Sequence, residues 1–412
     1  MSVPSIPPST SMEIFRSPEL LVKGLQRHTS ACCVVTFESY TDNRTLDRPG
    51  FGEVFFDANG IDAIHIVPRN NDWYQYPEID EACCRIRALT ASYPHVVAYG
   101  QSMGGYGAIR LGGRVGAKVA LAISPQFSID PTVARFEPRW AGDSARVDFQ
   151  VERSAEHDFV AKAYMVYDPR DLDARHVELY RPHTEIVDIR LPNCGHPAST
   201  FMVDTGILQQ AVLGLCHGTI DMLALRAQAR QARHGSPILY ANLAARCRHV
   251  PRRVRLSAKA SALLPGDPSL LGQYAFTLAH NGQFDESLAV FETARTDGAI
   301  NAQMRYWESE VHLLHGDLAK ATTVAEEALA LDPEASVFVD RVHKLKALER
   351  PAEAPPPAVA SSSLRSRLCA FLKKPLEEGA APSPFGACHL FRLVEAKHRQ
   401  LLHGYHKTRS GI

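Results

Sequence analysis

The sequence of 412 residues predicts an α/β domain built on a mainly parallel sheet, followed by an all-α helical array. Three observations predict this. Short apolar, β-branched runs alternate with helix-like segments as far as about residue 216. Past about residue 218 the strand-like runs vanish, and Ala, Leu, Arg and Glu take over with helical spacing. Within that second half the sequence resembles itself at a 34-residue interval. The expected organisation is a sheet domain over 1–217, helical repeats over 218–349, and a Pro/Ser linker with a terminal helix over 350–412.

Taken in order, runs 12–16 and 20–25 read as an antiparallel edge. Runs 31–37, 61–67, 95–100, 118–124, 161–167 and 185–191 read as further strands, with helices over 78–92 and 104–115 between them. That alternation gives a parallel sheet covered on both faces.

The fifth strand run leads into Gly100-Gln101-Ser102-Met103-Gly104, a Gly-x-Ser-x-Gly turn before a helical segment. A serine that acts as nucleophile must project from a turn so tight that flanking side chains would collide, and Gly100 and Gly104 remove the β-carbons in the way. Downstream, Asp168-Pro169-Arg170-Asp171-Leu172-Asp173 follows run 161–167, and Pro192-Asn193-Cys194-Gly195-His196-Pro197 follows run 185–191. Serine, acid and histidine thus occur in the order of a hydrolytic triad, each at a strand end. Three carboxylates compete in the acid loop, where an Asp equally serves to cap the Pro169 turn or to sit in solvent. In the histidine loop, Gly195 gives freedom to aim the ring of His196, and Pro197 starts a helix.

These motifs and the strand rhythm over residues 11–216 resemble the α/β-hydrolase family. The second glycine, Gly105, with Tyr106-Gly107-Ala108 after it, is similar to esterases of the feruloyl and S-formylglutathione type, and to hydrolase-fold acetyltransferases of accessory secretion systems. The resemblance implies acyl transfer through an acyl-enzyme, with Ser102 as nucleophile and His196 as base. The family's acid stands three residues past a small turn residue at the strand end, which selects Asp171 over Asp168 and leaves Asp173 pointing into the next turn. The activity implied is that of a serine esterase; an O-acyltransferase acting on a sugar or glycoprotein, or a non-catalytic adaptor on the same scaffold, are the alternatives. No cofactor or metal is implied.

The oxyanion needs two donors. The Met103 amide at the helix start is one, and the loop Glu38-Ser39-Tyr40 should offer the other, with Ser39 the choice. Here the chain departs from the family, which often carries His-Gly at this point. Trp73 and Tyr74, in a loop after the fourth strand run, are candidates to line the substrate mouth; packing beneath the loop is the plainer role for each. Ser124-Pro125-Gln126 is similarly placed. Arg170 is a candidate anchor for an acidic group or a surface ion pair.

In the second half Gly282 and Gly316, Phe291 and Ala325, and Ala294 and Ala328 each stand 34 residues apart, and Ala260 through Pro265 echoes Ala328 through Pro333. The period resembles the tetratricopeptide family, with an earlier, degenerate repeat over about 234–267, although Arg305 replaces an expected aromatic and Ala325 a larger residue. That resemblance implies a concave surface for a protein partner; a helical buttress is the other reading. Residues 351–363 read as an extended linker, and 386–405 as a terminal amphipathic helix.

Basic and acidic residues balance at 45 each, which supplies no field to attract nucleic acid. Nine cysteines without a Cys-x-x-Cys read as thiols, and Cys32, Cys33 and Cys84 fall in apolar runs that would bury them. No apolar stretch reaches the roughly 18 residues needed to span a bilayer, and Met1 to Ser11 lacks the apolar core of a secretion signal. A cytoplasmic protein acting on a small-molecule or glycan ester is the expectation.

Overall fold

The computed structural model describes residues 11–25, 30–154, 158–298, 300–333 and 335–349. The linker and helix expected beyond 350 lie outside them. The chain divides into two compact units after His234, and each is described by itself.

The first unit is an eight-stranded sheet in the order β1-β2-β4-β3-β5-β6-β7-β8. Its strands are β1 (Ser11–Arg16), β2 (Leu20–Leu25), β3 (Cys32–Phe37), β4 (Asp62–Pro68), β5 (His95–Gln101), β6 (Val119–Ile123), β7 (Lys162–Tyr167) and β8 (Glu185–Arg190). β1 pairs antiparallel with β2 and β2 with β4, while every other pairing is parallel. β3, β4 and β6 are buried at every residue, as continuous apolar runs covered on both faces must be. The helices are α1 (Glu53–Ala58), α2 (Ile79–Thr90), α3 (Met103–Arg110), α4 (Ala141–Ser144), α5 (Gln150–Arg153), α6 (Asp173–Tyr180), α7 (Ser199–Asp204), α8 (Ile207–Cys216) and α9 (Met222–Ala232). The expected architecture, a mainly parallel sheet flanked by helices and followed by a helical array, is the one observed.

Register aligns the carboxyl ends of the central strands. Phe37 pairs with Gly100, Gln101 with Ile123, Ile123 with Val166, and Tyr167 with Arg190. The loops that follow β3, β5, β6, β7 and β8 therefore leave the sheet at one edge, where open α/β sheets bind ligands.

Two expectations change. The boundary read at 217 moves, because α9 holds to the first unit: Arg226 donates to the Asp188 carbonyl and Gln228 to that of Thr205. Composition alone could not separate a helix that covers the sheet domain from one that opens the array. Cys32 and Cys33 are buried as read, but Cys84 is exposed while Cys83 faces the core, since successive helical residues point about 100° apart.

The second unit comprises α10 (Pro237–Ala245), α11 (Val250–Leu263), α12 (Pro268–His280), α13 (Phe284–Thr296), α14 (Ala302–His315), α15 (Leu318–Leu331) and α16 (Ser336–Glu349). Gly282 and Gly316 turn α12 into α13 and α14 into α15 at left-handed φ of 78° and 90°. α11 and α15 stop at Leu263 and Leu331, two residues ahead of Pro265 and Pro333. Each pair is tied by one buried serine: Ser287 donates to the Ala275 carbonyl at 2.7 Å, and Ser309 to the Ala321 carbonyl at 2.8 Å. Ser309 and Ala321 stand 34 positions after Ala275 and Ser287, so the repeat keeps the bond and swaps which helix donates it. The departures at Arg305 and Ala325 are accommodated: Arg305 pairs with Glu308 and Glu327, and Ala325 is buried against Leu313, Val342 and Leu345.

At Gly272 an added Cβ would stand 2.1 Å from Trp307 Cδ1. Gly272→Ala is accordingly expected to destabilise the second unit by about 1–3 kcal/mol, read as an earlier transition in thermal unfolding. An unchanged melt would show that the contact between α12 and α14 yields freely.

Candidate active site

β5 runs straight into α3 through Ser102, whose backbone is held at φ 53° and ψ −118°. A non-glycine residue at positive φ costs on the order of 1–3 kcal/mol and persists only where packing enforces it. Here the enforcement is steric. A Cβ on Gly100 would lie 2.1 Å from the Gly104 carbonyl oxygen, and one on Gly104 would lie 2.2 Å from that of Phe37. The two glycines let the turn close on itself and let α3 touch the end of β3, which is the geometry of a nucleophile elbow.

Ser102 is wholly buried, and its Oγ lies 3.1 Å from Nε2 of His196. The other ring nitrogen, Nδ1, donates to Asp173, at 2.8 Å to Oδ2 and 3.1 Å to Oδ1. An ionised carboxylate only accepts, so Nδ1 carries the ring proton and Nε2 is left to accept from the serine. The loop carrying His196 is pinned from two sides. Gly195, at φ 71°, donates its N–H to Asp168 Oδ2, and Ala198 N–H donates to Ser124 Oγ.

The acid at the imidazole is thus Asp173, where the sequence pointed to Asp171. The Asp171 amide bonds back to the Asp168 carbonyl at 3.1 Å, closing a turn after β7 that carries the Asp171 side chain to Arg139 rather than to the ring. Two residues later the chain enters α6, and Asp173 at its first position faces inward. Asp168 is taken up by the amides of Arg170 and Gly195. Arg170, considered as an anchor, is exposed and donates to Asn193.

Sequence reasoning missed Arg139. Its guanidinium donates to Asp173 Oδ1 at 2.8 Å, to Asp171 Oδ1 at 3.1 Å, and to both oxygens of Glu137. Glu137 in turn accepts from His176 Nε2 at 2.8 Å, while Phe127 N–H donates to His176 Nδ1. Burial opposes ionisation of Asp173, but His196 and Arg139 outweigh it and hold the carboxyl far below the usual range. Arg139 is itself pushed above its ordinary value: burial works the other way and is overcome by Asp173, Glu137 and Asp171.

The expected oxyanion donors fare differently. Met103 opens α3, so its N–H has no acceptor within the helix and stays at the elbow. The Ser39 amide is not available in the same way: it donates to Glu38 Oε1 at 3.0 Å, because the Glu38 side chain folds back on it beside Arg48. Gln126 reaches Ser102 instead, its Nε2 at 3.2 Å and its Oε1 at 3.3 Å from Ser102 Oγ.

Neither Trp73 nor Tyr74 opens to solvent. Tyr74 donates its hydroxyl to the Glu38 carbonyl at 2.6 Å and packs edge-on to Phe37, which makes it a strut for the loop after β3 rather than a substrate contact. Trp73 packs against Tyr40 and Trp140, and Trp140 lies 6.2 Å from the His196 ring. Trp140 and Arg139 come from the long connection between β6 and β7, which carries no motif and no period by which sequence reading could find them.

No protein-family model matches the chain, and no curated protein matches it in sequence. Among solved structures the chain is similar to an esterase, Pf2001, of Pyrococcus furiosus, at 16% identity and a TM-score of 0.34 over 50% of this chain and 90% of that one. It is similar also to the capsule O-acetyltransferase of Neisseria meningitidis serogroup A, at 12% identity and a TM-score of 0.31 over 43% of this chain and 85% of that one. A tetratricopeptide protein of Thermus thermophilus, TTC0263, matches at 16% identity with a TM-score of 0.25, over 38% of this chain and 84% of that one. Likenesses at these scores leave the reading of function to the geometry of the site.

Burial opposes ionisation of Glu137, yet the bonds from His176 and Arg139 pull its carboxyl down to about 2. An unfolded Glu titrates near about 4.3, so this carboxylate stabilises the fold above that pH and loses the contribution as pH falls towards 2. Glu137→Gln is expected to lower the melting temperature most at about pH 7, with the gap to the parent closing from about pH 5 downward. Melts across that range test it, and a gap that stays constant would count against the network.

Proposed function

We propose that the first unit is a serine hydrolase that cleaves esters through an acyl-enzyme on Ser102. The observation that carries this is the unbroken relay from Ser102 Oγ through His196 to Asp173, at 3.1 and 2.8 Å, on a strained elbow at the edge of the sheet where the loops meet.

Ser102 Oγ bonds to the ester carbonyl carbon as its proton passes to His196 Nε2, and Asp173 stabilises the imidazolium that forms. The bond to the alcohol oxygen then breaks, and His196 returns the proton to the departing alkoxide. Water, deprotonated by the same ring, releases the acid and regenerates the serine. Helix α3 presents the Met103 amide to the developing oxyanion. Once the serine proton points to His196, the Gln126 amide donates to Oγ and favours the anionic oxygen.

A small dialkyl fluorophosphate is expected to add its phosphoryl mass to the full chain on Ser102 and to leave Ser102→Ala untouched, as read by mass spectrometry. A parent protein that stays unmodified and turns over no aryl acetate would sink the proposal.

The two candidate acids separate in the same assay. Asp173→Asn should lower kcat on an aryl acetate by about a thousandfold or more, because the amide misdirects the ring's tautomer. Asp171→Asn should stay within about tenfold, since Asp171 meets Arg139 and not the imidazole. The reverse ranking would return the acid to Asp171.

A further inference from the structure

The ring of His196, which meets the wholly buried Ser102, lies beside Trp140, one of three packed aromatic side chains that the reaction does not use. The Trp140 ring is 6.2 Å from the His196 ring, 5.0 Å from that of Tyr40 and 5.4 Å from that of Trp73, and Tyr40 and Trp73 lie 6.2 Å apart. Tyr40 follows Ser39 on the loop after β3, so Trp140 bridges from the imidazole to that loop. On its other sides Ser102 Oγ is bounded by Gln126, by His196 and by the start of α3.

That cluster is closed and held in place. Trp73 is fully buried and Trp140 is 6% exposed. Trp73 and Tyr74 are consecutive non-glycine residues at positive φ, 48° and 59°. Two such residues in a row cost on the order of 1–3 kcal/mol each, and strain of this kind gathers where a site needs a side chain in one place. Tyr74 secures the segment by its hydroxyl bond to the Glu38 carbonyl. An unpartnered indole N–H does not mark the site by itself, because Trp307 in the second unit has one too. Position does: among the described residues, Trp140 alone of the three tryptophans meets the candidate base, edge-on at 6.2 Å.

We propose that Trp140, backed by Trp73 and Tyr40, is the specificity-determining residue of the site and restricts its substrates to esters of short acyl groups, of the size of acetyl. This rests on the hydrolase reading above. In this reading the acyl group on Ser102 Oγ extends towards Trp140, and a longer chain would have to displace a ring packed on two others. Each methylene that cannot be seated forfeits a few-fold in transition-state binding.

The test is kcat/KM on p-nitrophenyl acetate, butyrate and octanoate for the full-length chain and for Trp140→Phe, Trp140→Leu and Trp140→Ala. The parent is expected to prefer acetate over octanoate by at least about tenfold, and the ratio of octanoate to acetate should rise as the side chain shrinks, by about tenfold or more in Trp140→Ala. Because the ratio is taken within each protein, a general loss of activity cancels. Trp140→Phe and Trp140→Leu keep the comparison open should the alanine variant fail to fold. A parent that takes octanoate as readily as acetate, or a ratio that does not move in Trp140→Phe and Trp140→Leu, overturns the assignment. Fluorophosphate modification of Ser102 in the parent distinguishes that result from failure of the hydrolase reading itself, in which no ester is turned over and no modification occurs.

Discussion

The carboxylate of Asp173 is the group on which the site depends. It is wholly buried, and a buried anion survives only when its oxygens are matched by donors and a compensating charge. Here one oxygen serves the His196 ring and the other is shared between that ring and Arg139. The start of α6, the loop after β8 and the connection between β6 and β7 must therefore meet at one point. Removing a single partner from such a cluster typically costs about 3–5 kcal/mol, because the remaining charges stay buried without it. Orientation of the His196 ring and stability of this corner are one problem, solved by the same contacts.

Arg139 makes this arrangement differ from a bare relay of three residues. It faces Glu137, Asp171 and Asp173 together, and Glu137 is completed by His176. The Phe127 amide donates to His176 Nδ1, which places the proton of that ring on Nε2, where it points at Glu137. The segment that carries the cation also carries Trp140, the next residue along the chain. One short stretch thus fixes Asp173 from behind and, through Trp140, borders the His196 ring.

The sheet supplies the rest by simple means. Strands buried on both faces tolerate no polar excess, so chemistry is displaced to their ends, and parallel register brings five of those ends to one edge. The close approach of α3 to β3 at Gly104 then sets how far Ser102 projects. The second unit obeys a separate and more local rule. Its helix pairs repeat a turn glycine and one buried serine bond, and where the donor serine moves to the opposite helix the bond survives because both positions face the same seam.

What the sequence determined by itself was everything that rests on local sterics and periodicity. The eight strand runs, the glycines of the elbow, the serine and histidine at strand ends and the 34-residue repeat all express constraints between residues near in the chain. The choice among Asp168, Asp171 and Asp173 was not of that kind. All three are the same residue type and nearly adjacent, and a turn closed by the Asp171 amide, two residues of further chain and the first turn of α6 decide which reaches the ring. Arg139 and Trp140 were likewise beyond sequence reading, because Asp171, Asp173 and His196, the partners that tie them to the site, lie more than 30 residues away and no spacing encodes a contact made only when separate loops converge on one edge of a sheet. Tertiary structure alone settles such matters, since burial and distance, unlike propensity, belong to no single stretch of chain.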